Sequence, residues 1–300
     1  MATQKFTDFE LYDVVTAGDA EELAALDVVE LEGWVKTNRD NGSIGFLEFN
    51  DGTYFKNIQL VYDNNCKSHD VIAKAGTGAA IKVIGKVKLT PEMKQPFEIH
   101  VEECEIEGDV AEDYPLQKKR HSFEFLREIA HVRPRANTFQ AVYRVRSVLS
   151  MAIHEFFNQR GFVYVHTPLI TTNDGEGAGN VFDVTTHDTK DPFSFYGRKV
   201  NLTVTGQLHV EPFALAFRNV YTFGPAFRAE HSNTVRHASE FWMIEPEMAF
   251  CDLNGNMEII EACVKFCINY VLASCPEEMK FFNTMIDNTL LERLNHVASS

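Results

Sequence analysis

Residues 223–250 read FGPAFRAEHSNTVRHASEFWMIEPEMAF, and the organisation of the chain is decided by how that stretch folds. Its two ends, Tyr221–Arg228 and Phe241–Phe250, are rich in aromatic and apolar residues, as paired buried strands are. Between them lie Glu230, His231, Ser232, Asn233, Arg236 and His237, a polar loop too long for a tight hairpin. An arginine leaving one strand, Arg228, and an aromatic entering the other, Phe241, would face a common ligand. A guanidinium pairs with phosphate or carboxylate through two parallel hydrogen bonds, and a phenyl ring stacks on a planar base. The stretch therefore reads as a nucleotide site on an antiparallel hairpin. It is not a glycine-rich phosphate cradle: neither GxxxxGK[ST] nor GxGxxG after a strand occurs in the chain.

Three hundred residues suit about two domains, and 45% hydrophobic content with 24 phenylalanines indicates a globular, sheet-rich protein. No apolar run approaches the ~18–20 residues of a membrane span. The opening MATQKFTDFELYDVV has no signal-peptide core. Cys66, Cys104, Cys251, Cys263, Cys267 and Cys275 form no CxxC pair, so a reduced, cytoplasmic protein is expected, with no metal held by this chain. The net charge of −15 argues against a generally nucleic-acid-binding surface. A local one remains: between Gln117 and Arg146 there are eight Lys/Arg and only two acids, and screening beyond about 8 Å makes such patches act locally.

After a helical or extended lead-in, the texture from Val28 changes to short strands. VVELEGWVKTN, SIGFLEFNDG, FKNIQLVYD, AAIKVIGKVKL and FEIHVEECEIEG are punctuated by Asn41-Gly42, Asp51-Gly52 and Gly76. Five strands in that space suggest a small closed barrel of the OB type, a class that binds single-stranded nucleic acid on exposed aromatics beside basic groups. Alternation does not say which face Phe46 occupies. Residues 110–134, between Pro115 and Pro134, read as a linker with a short amphipathic helix (Phe123, Leu126, Ile129, Ala130). The expected division is thus a barrel over 1–109, a linker over 110–134 and an α+β domain over 135–300.

Asn137–Arg160 carries Phe139, Val142, Val145, Leu149, Ile153, Phe156 and Phe157 at helical spacing, with Gly161 as a stop. The strand FVYVHTPLI follows, broken at Pro168, whose missing N–H confines it to an edge or end. Three glycines surround Glu176 in TTNDGEGAGNV, a loop that moves or approaches a ligand closely. Residues 201–217 read strand, turn, helix, and Leu253–Ser274 reads as a helix ended by Pro276. A second helix is expected through Met285, Leu290, Leu291 and Leu294.

The pattern FR-x-E followed by RH-x-x-EF resembles motif 2 of the class II aminoacyl-tRNA synthetases. The wording FGPAFRAEHSNT…RHASEFWMIEPE is similar to the asparaginyl branch of their aspartyl/asparaginyl/lysyl subgroup. The helix and Pro168-bearing strand resemble motif 1, which implies a homodimer through Asn137–Pro168. The barrel, by GWVKTNRDNGSIGFLEFNDG, is similar to the anticodon-binding barrel of the subgroup. The resemblance implies that Phe46 stacks on the middle anticodon base, Gln59 bonds its edge and Arg39 contacts base or backbone. It further implies a ligase of protein biosynthesis that uses ATP and Mg²⁺. Arg228 would bridge substrate carboxylate and α-phosphate, Phe241 would stack on adenine, and Glu230 would read its amino edge. Arg236 and His237 would neutralise the outer phosphates.

In the same resemblance Glu176 and Gln207 contact the amino acid. Aspartyl enzymes show PQL followed by a lysine that holds the substrate carboxylate, and this chain has Val210 there. A site without that cation, offering Glu211 or Glu245, would accept an amide and repel a carboxylate. Buried polar partners of this kind discriminate by ~10⁴ or more. Asparagine and tRNA(Asn) are therefore the expected substrates. An aspartyl enzyme, or a non-catalytic tRNA-binding fragment, stays as the alternative. The glycine-rich third motif, GxGxGxxR, is absent from these residues, so the natural protein is expected to continue past Ser300.

Overall fold

The computed structural model describes residues 3–18, 22–23, 26–175, 180–186, 196–232 and 234–300. They fall into two compact units, Met1–Val145 with Pro276–Asn288, and Arg146–Cys275 with Thr289–Ser300.

In the first unit, β1 (Gln4–Lys5) pairs in parallel with β2 (Val28–Asp40). β2, β3 (Ile44–Asn50), β4 (Ile58–Asp63), β5 (Ala80–Leu89) and β6 (Phe97–Gly108) close into a barrel. The order is β2-β3-β4-β6-β5, with β5 returning to β2. β2 serves two partners: Val28–Trp34 pairs with β5, and Trp34–Asp40 pairs with β3. It must bend where the partner changes. Gly33 sits there because a Cβ would lie 2.6 Å from the Phe49 ring and 2.9 Å from the Asn50 carbonyl oxygen. A bulge between Val35 and Thr37 completes the bend. Alternation sends Leu31, Leu47, Phe49, Ile58, Leu60, Ile81 and Ile99 into the interior.

The lead-in is an ordered helix, α1 (Asp8–Ala17). Its start is a capping box in which the Thr7 hydroxyl accepts from the Glu10 amide while the Glu10 carboxylate accepts from the Thr7 amide. Leu11 and Tyr12 of α1 enter the barrel core, as does Ile72 of α2 (His69–Ile72). Residues 110–134 contain α3 (Phe123–Glu128) and lead into a 3-10 turn at Arg133–Arg135. By its contacts this segment belongs with the barrel.

Asp8 is fully buried where α1 meets the barrel. Its amide donates to Asp51 Oδ2 and the Asp51 amide donates to Asp8 Oδ2, each at 2.9 Å. Asp8 Oδ1 has no partner among the described residues. Burial, and then the Asp51 charge, push the Asp8 carboxyl up to about 8.

In the second unit α4 (Asn137–Gln159), whose residues to Val145 count with the first, ends at Gly161 with φ of 73°. The expected strand over 162–170 is instead two short pieces, β7 (Val163–Tyr164) and β8 (Ile170–Thr171). β7 pairs with β10 and β8 with β9 (Asn201–Leu202), so Pro168 falls where the chain changes partner. α5 (Gln207–Phe217) precedes the hairpin of β10 (Asn219–Phe227) and β11 (Glu240–Met248). Ala152, Phe156 and Phe157 of α4 pack on Tyr221, Phe223 and Cys267, the last from α6 (Leu253–Ser274).

The single helix expected after α6 is two, α7 (Pro276–Met285) and α8 (Leu290–Ser299). Pro276 opens α7 at its first position, where a missing N–H costs nothing. α7 belongs to the first unit. Lys56 pairs with Glu277 at 2.6 Å, and the Phe55 and Phe281 rings meet edge to face. Among the described residues no single helix is long and apolar enough to cross a membrane.

The Asp8 carboxyl sets a pH test. Between an unfolded value of ~3.9 and a folded value of about 8, the folded chain holds a proton that the unfolded chain releases. Stability therefore falls as pH rises through that window. Asp8→Asn should be more stable than the parent above pH 8 and should show a flatter thermal-midpoint profile between pH 5 and 9. Parallel profiles for the two proteins would contradict the assignment.

Candidate active site

The β10–β11 ladder runs unbroken from Asn219↔Met248 to Phe227↔Glu240. Because strand side chains alternate and cross-strand partners share a face, Thr222, Gly224 and Ala226 lie on one face with Glu245, Met243 and Phe241. The other face sends Tyr221 and Phe223 into the aromatic core, where Tyr221 stacks on Phe157. The middle of the first face is open: a Cβ on Gly224 would meet nothing within 4 Å.

One end of this floor is built on a carboxylate. Glu245 Oε1 accepts from the Thr205 hydroxyl, and Oε2 accepts from the Gly206 amide at 3.0 Å. Gly206 rests against the hairpin with no room to spare. A Cβ there would lie 2.8 Å from Thr222 Cγ2, 2.9 Å from Thr167 Oγ1 and 3.1 Å from Glu245 Oε2. α5 begins at the next residue, and Gln207 Nε2 donates to Glu211 Oε1 at 3.1 Å. Glu247 is a third carboxylate here. Its burial, followed by the charges of Glu211 and Glu245, pushes its carboxyl up from the ordinary glutamate range.

At the other end the Arg228 amide donates to the Ser239 carbonyl at 3.0 Å. The Arg228 guanidinium lies over the Phe241 ring, 5.3 Å from its centroid. Glu245 lies four positions along the strand from Phe241, a run of ~14 Å in extended backbone.

The structure thus brings together Gln207, Glu211 and Glu245, and separately Arg228 and Phe241, on one hairpin face. It does not gather Glu230, Arg236 or His237 around them. All three are exposed in the loop, where His237 Nδ1 and the Thr234 hydroxyl lie 2.6 Å apart. Glu176 lies outside the described residues. Val210 is fully buried against Val165 and Val220, so this position faces the core and a lysine would have to leave it to reach a ligand. Sequence reasoning missed Thr205, Gly206 and Thr222. Their only written signal was the glycine between strand and helix in TVTGQL.

In the first unit Arg39, Phe46 and Val61 form one cross-strand row, and Glu48 pairs with both Thr37 and Gln59 in the next. Phe46 is 43% exposed while its neighbours Leu47 and Phe49 are fully buried. The three residues expected to read an anticodon therefore share the outer barrel face. Among the described residues no three His, Cys, Asp or Glu converge to hold a metal.

A family described as tRNA synthetases class II (D, K and N) matches residues 122–298, and an OB-fold nucleic acid binding domain matches 29–107. Among curated proteins, the asparagine–tRNA ligase of Alkaliphilus oremlandii is 55% identical over 293 residues, covering 94% of this chain and 63% of the relative. That of Acetivibrio thermocellus is 57% identical over 284 residues, covering 91% and 61%. The chain spans about three fifths of the length of these curated relatives. Among solved structures, asparaginyl-tRNA synthetase from Pyrococcus horikoshii complexed with asparaginyl-adenylate superposes with a TM-score of 0.78 at 29% identity. It covers 92% of this chain and 62% of that one. The Entamoeba histolytica asparaginyl-tRNA synthetase shares the fold at a TM-score of 0.76 and 19% identity, covering 95% and 61%.

The contacts of Gly206 make it the most sensitive point of the floor. Gly206→Ala should destabilise the protein by about 1–3 kcal/mol, the usual cost of forcing a methyl into packed surroundings. Urea unfolding measures it, and an unchanged midpoint would show that the turn has slack.

Proposed function

Because the chain belongs to the class II tRNA synthetases of the D, K and N type, we propose that it activates asparagine with ATP and delivers the asparaginyl group to tRNA(Asn). One observation carries this reading: a single hairpin face joins a carboxylate-rich pocket at Glu245 to an arginine–phenyl pair at Arg228 and Phe241. Curated asparagine–tRNA ligases at 55–57% identity support it.

The α-carboxylate of asparagine attacks the α-phosphorus of ATP in line and expels pyrophosphate. The attacker is already an anion, so no side-chain base is needed, and catalysis is positioning with charge neutralisation. Arg228 swings from Phe241 to bridge carboxylate and phosphate, and adenine takes its place on the ring. Glu230 reads the adenine edge, and Arg236 and His237 come in from the loop to the outer phosphates. The terminal ribose hydroxyl of tRNA then attacks the carbonyl carbon of the adenylate, forming the ester as the acyl–phosphate bond breaks and AMP and a proton leave. Gln207, Glu211, Glu245 and Glu176 hold the amino acid. Glu211, Glu245 and the partly buried Glu247 set a negative field that an amide NH₂ satisfies and a second carboxylate does not. Mg²⁺ carried on the ATP phosphates would help to neutralise their charge.

On this reading residues 1–109 form the anticodon-binding domain, with Arg39, Phe46 and Gln59 as its contacts. Residues 110–134 link it to a catalytic portion over 135–300. The protein works in the cytoplasm as a homodimer through Asn137–Pro168. Val163 and Tyr164, exposed on a sheet-edge strand, and Met151, 61% exposed on α4, support that surface.

Arg228→Ala should abolish asparagine-dependent ATP–pyrophosphate exchange, and the parent should exchange with asparagine and not aspartate. Parental rates in the variant would show the phosphate assignment wrong. Met151→Glu should shift the protein to monomer in sedimentation. A dimer that persists would move the interface elsewhere.

A further inference from the structure

The first unit carries a cavity of about 1320 Å³ that the proposed activity leaves unused. Trp34, Lys36, Lys118, Lys119, Arg120 and Arg135 line it. Lys118, Lys119 and Arg120 are exposed, and none of the three pairs with a carboxylate among the described residues. In a chain of net charge −15, an uncompensated run of three cations is a local exception. Lys36 Nζ donates to the Arg135 carbonyl at 3.1 Å. Burial first, and then the Arg135 and Arg144 charges, hold its ammonium below the ordinary lysine range against the opposing pull of Asp8 and Glu48. A site crowded with positive charge in this way gains from a bound anion.

The cavity also has stacking surface and open hydrogen-bonding capacity. Trp34 is 46% exposed. Gln140, another lining residue, donates from Nε2 to Asn50 Oδ1 at 3.1 Å, and its buried Oε1 has no partner among the described residues. Thr37 and Glu48 line the cavity too, and they form the row next to Arg39 and Phe46 on the outer barrel face. The cavity and the expected anticodon face are therefore one continuous surface.

The geometry points to this cavity as a second RNA subsite, in which the cations take the sugar–phosphate backbone of the strand flanking the anticodon and Trp34 stacks a base. The inference rests on the reading of the barrel as an anticodon-binding domain. A basic groove with an aromatic platform binds single strands with little sequence preference. The subsite thus supplies affinity and register, while Phe46 and Gln59 supply choice.

The test is binding of an anticodon stem–loop RNA to the full chain across a salt series. Lys118→Ala, Lys119→Ala and Arg120→Ala together should weaken binding about tenfold. They should also lower the slope of log K against log salt by ~2, since each single-strand phosphate contact contributes about 0.7. In a Trp242→Phe background, Trp34 emission should be quenched by the RNA. Phe46→Ala should weaken binding while leaving the slope in place. Parental affinity and slope in the triple variant, with RNA still bound, would overturn the subsite alone. Failure of the parent chain to bind RNA would overturn the barrel assignment and the subsite together.

Discussion

The register between β10 and β11 is the constraint on which the candidate site depends. Side chains alternate along both strands, so a slip of one residue would turn every one of them over. Glu245 would then enter the aromatic core, and Phe223 would lie on the open floor. What fixes the register is burial on the far side. Tyr221 and Phe223 are nearly inaccessible, the first stacked on Phe157 and the second packed edge to face on His154. Burying each such ring is worth roughly 1.5–3 kcal/mol, and a slip would forfeit both. Packing on one face of the hairpin thereby sets chemistry on the other.

The same division of labour holds at the Gly206 turn. Two hydrogen bonds from Thr205 and Gly206 occupy both oxygens of Glu245. The carboxylate therefore fixes where α5 begins, and with it the position of Gln207 and Glu211. A carboxylate so engaged is a support for the pocket as much as a contact within it. Glycine is required there by steric closeness to Thr222 and Thr167 rather than by backbone angle, since its φ is an ordinary −84°.

Much of this was legible in the sequence where local pattern and tertiary demand agree. Five strand-like segments became the five barrel strands, and the aromatic runs around residues 219–248 became the central hairpin. The misses have identifiable causes. Thr7-x-x-Glu10 is a written capping box, but the acidic lead-in around it lacks the apolar periodicity that marks a helix. The strand expected through Pro168 failed because its two halves serve different neighbours, which a single-strand pattern cannot express. Phe46 could not be assigned a face from alternation, because the apolar run IGFLEF has large side chains on both sides. Glu230, Arg236 and His237 owe their expected roles to the resemblance to motif 2 rather than to any local pattern, and all three lie exposed in the loop between β10 and β11.

The contact between Arg228 and Phe241 has a consequence for the proposed binding of ATP. The phenyl ring is not left bare to water: a guanidinium covers it, an arrangement worth about 0.5–1 kcal/mol at an exposed position. A stacked base is worth roughly 1–3 kcal/mol, so a planar ligand displaces the arginine at a modest net gain. In the proposed reaction the side chain so released is the one that would bridge carboxylate and phosphate. On that reading, occupancy of the ring and availability of the cation would be a single event.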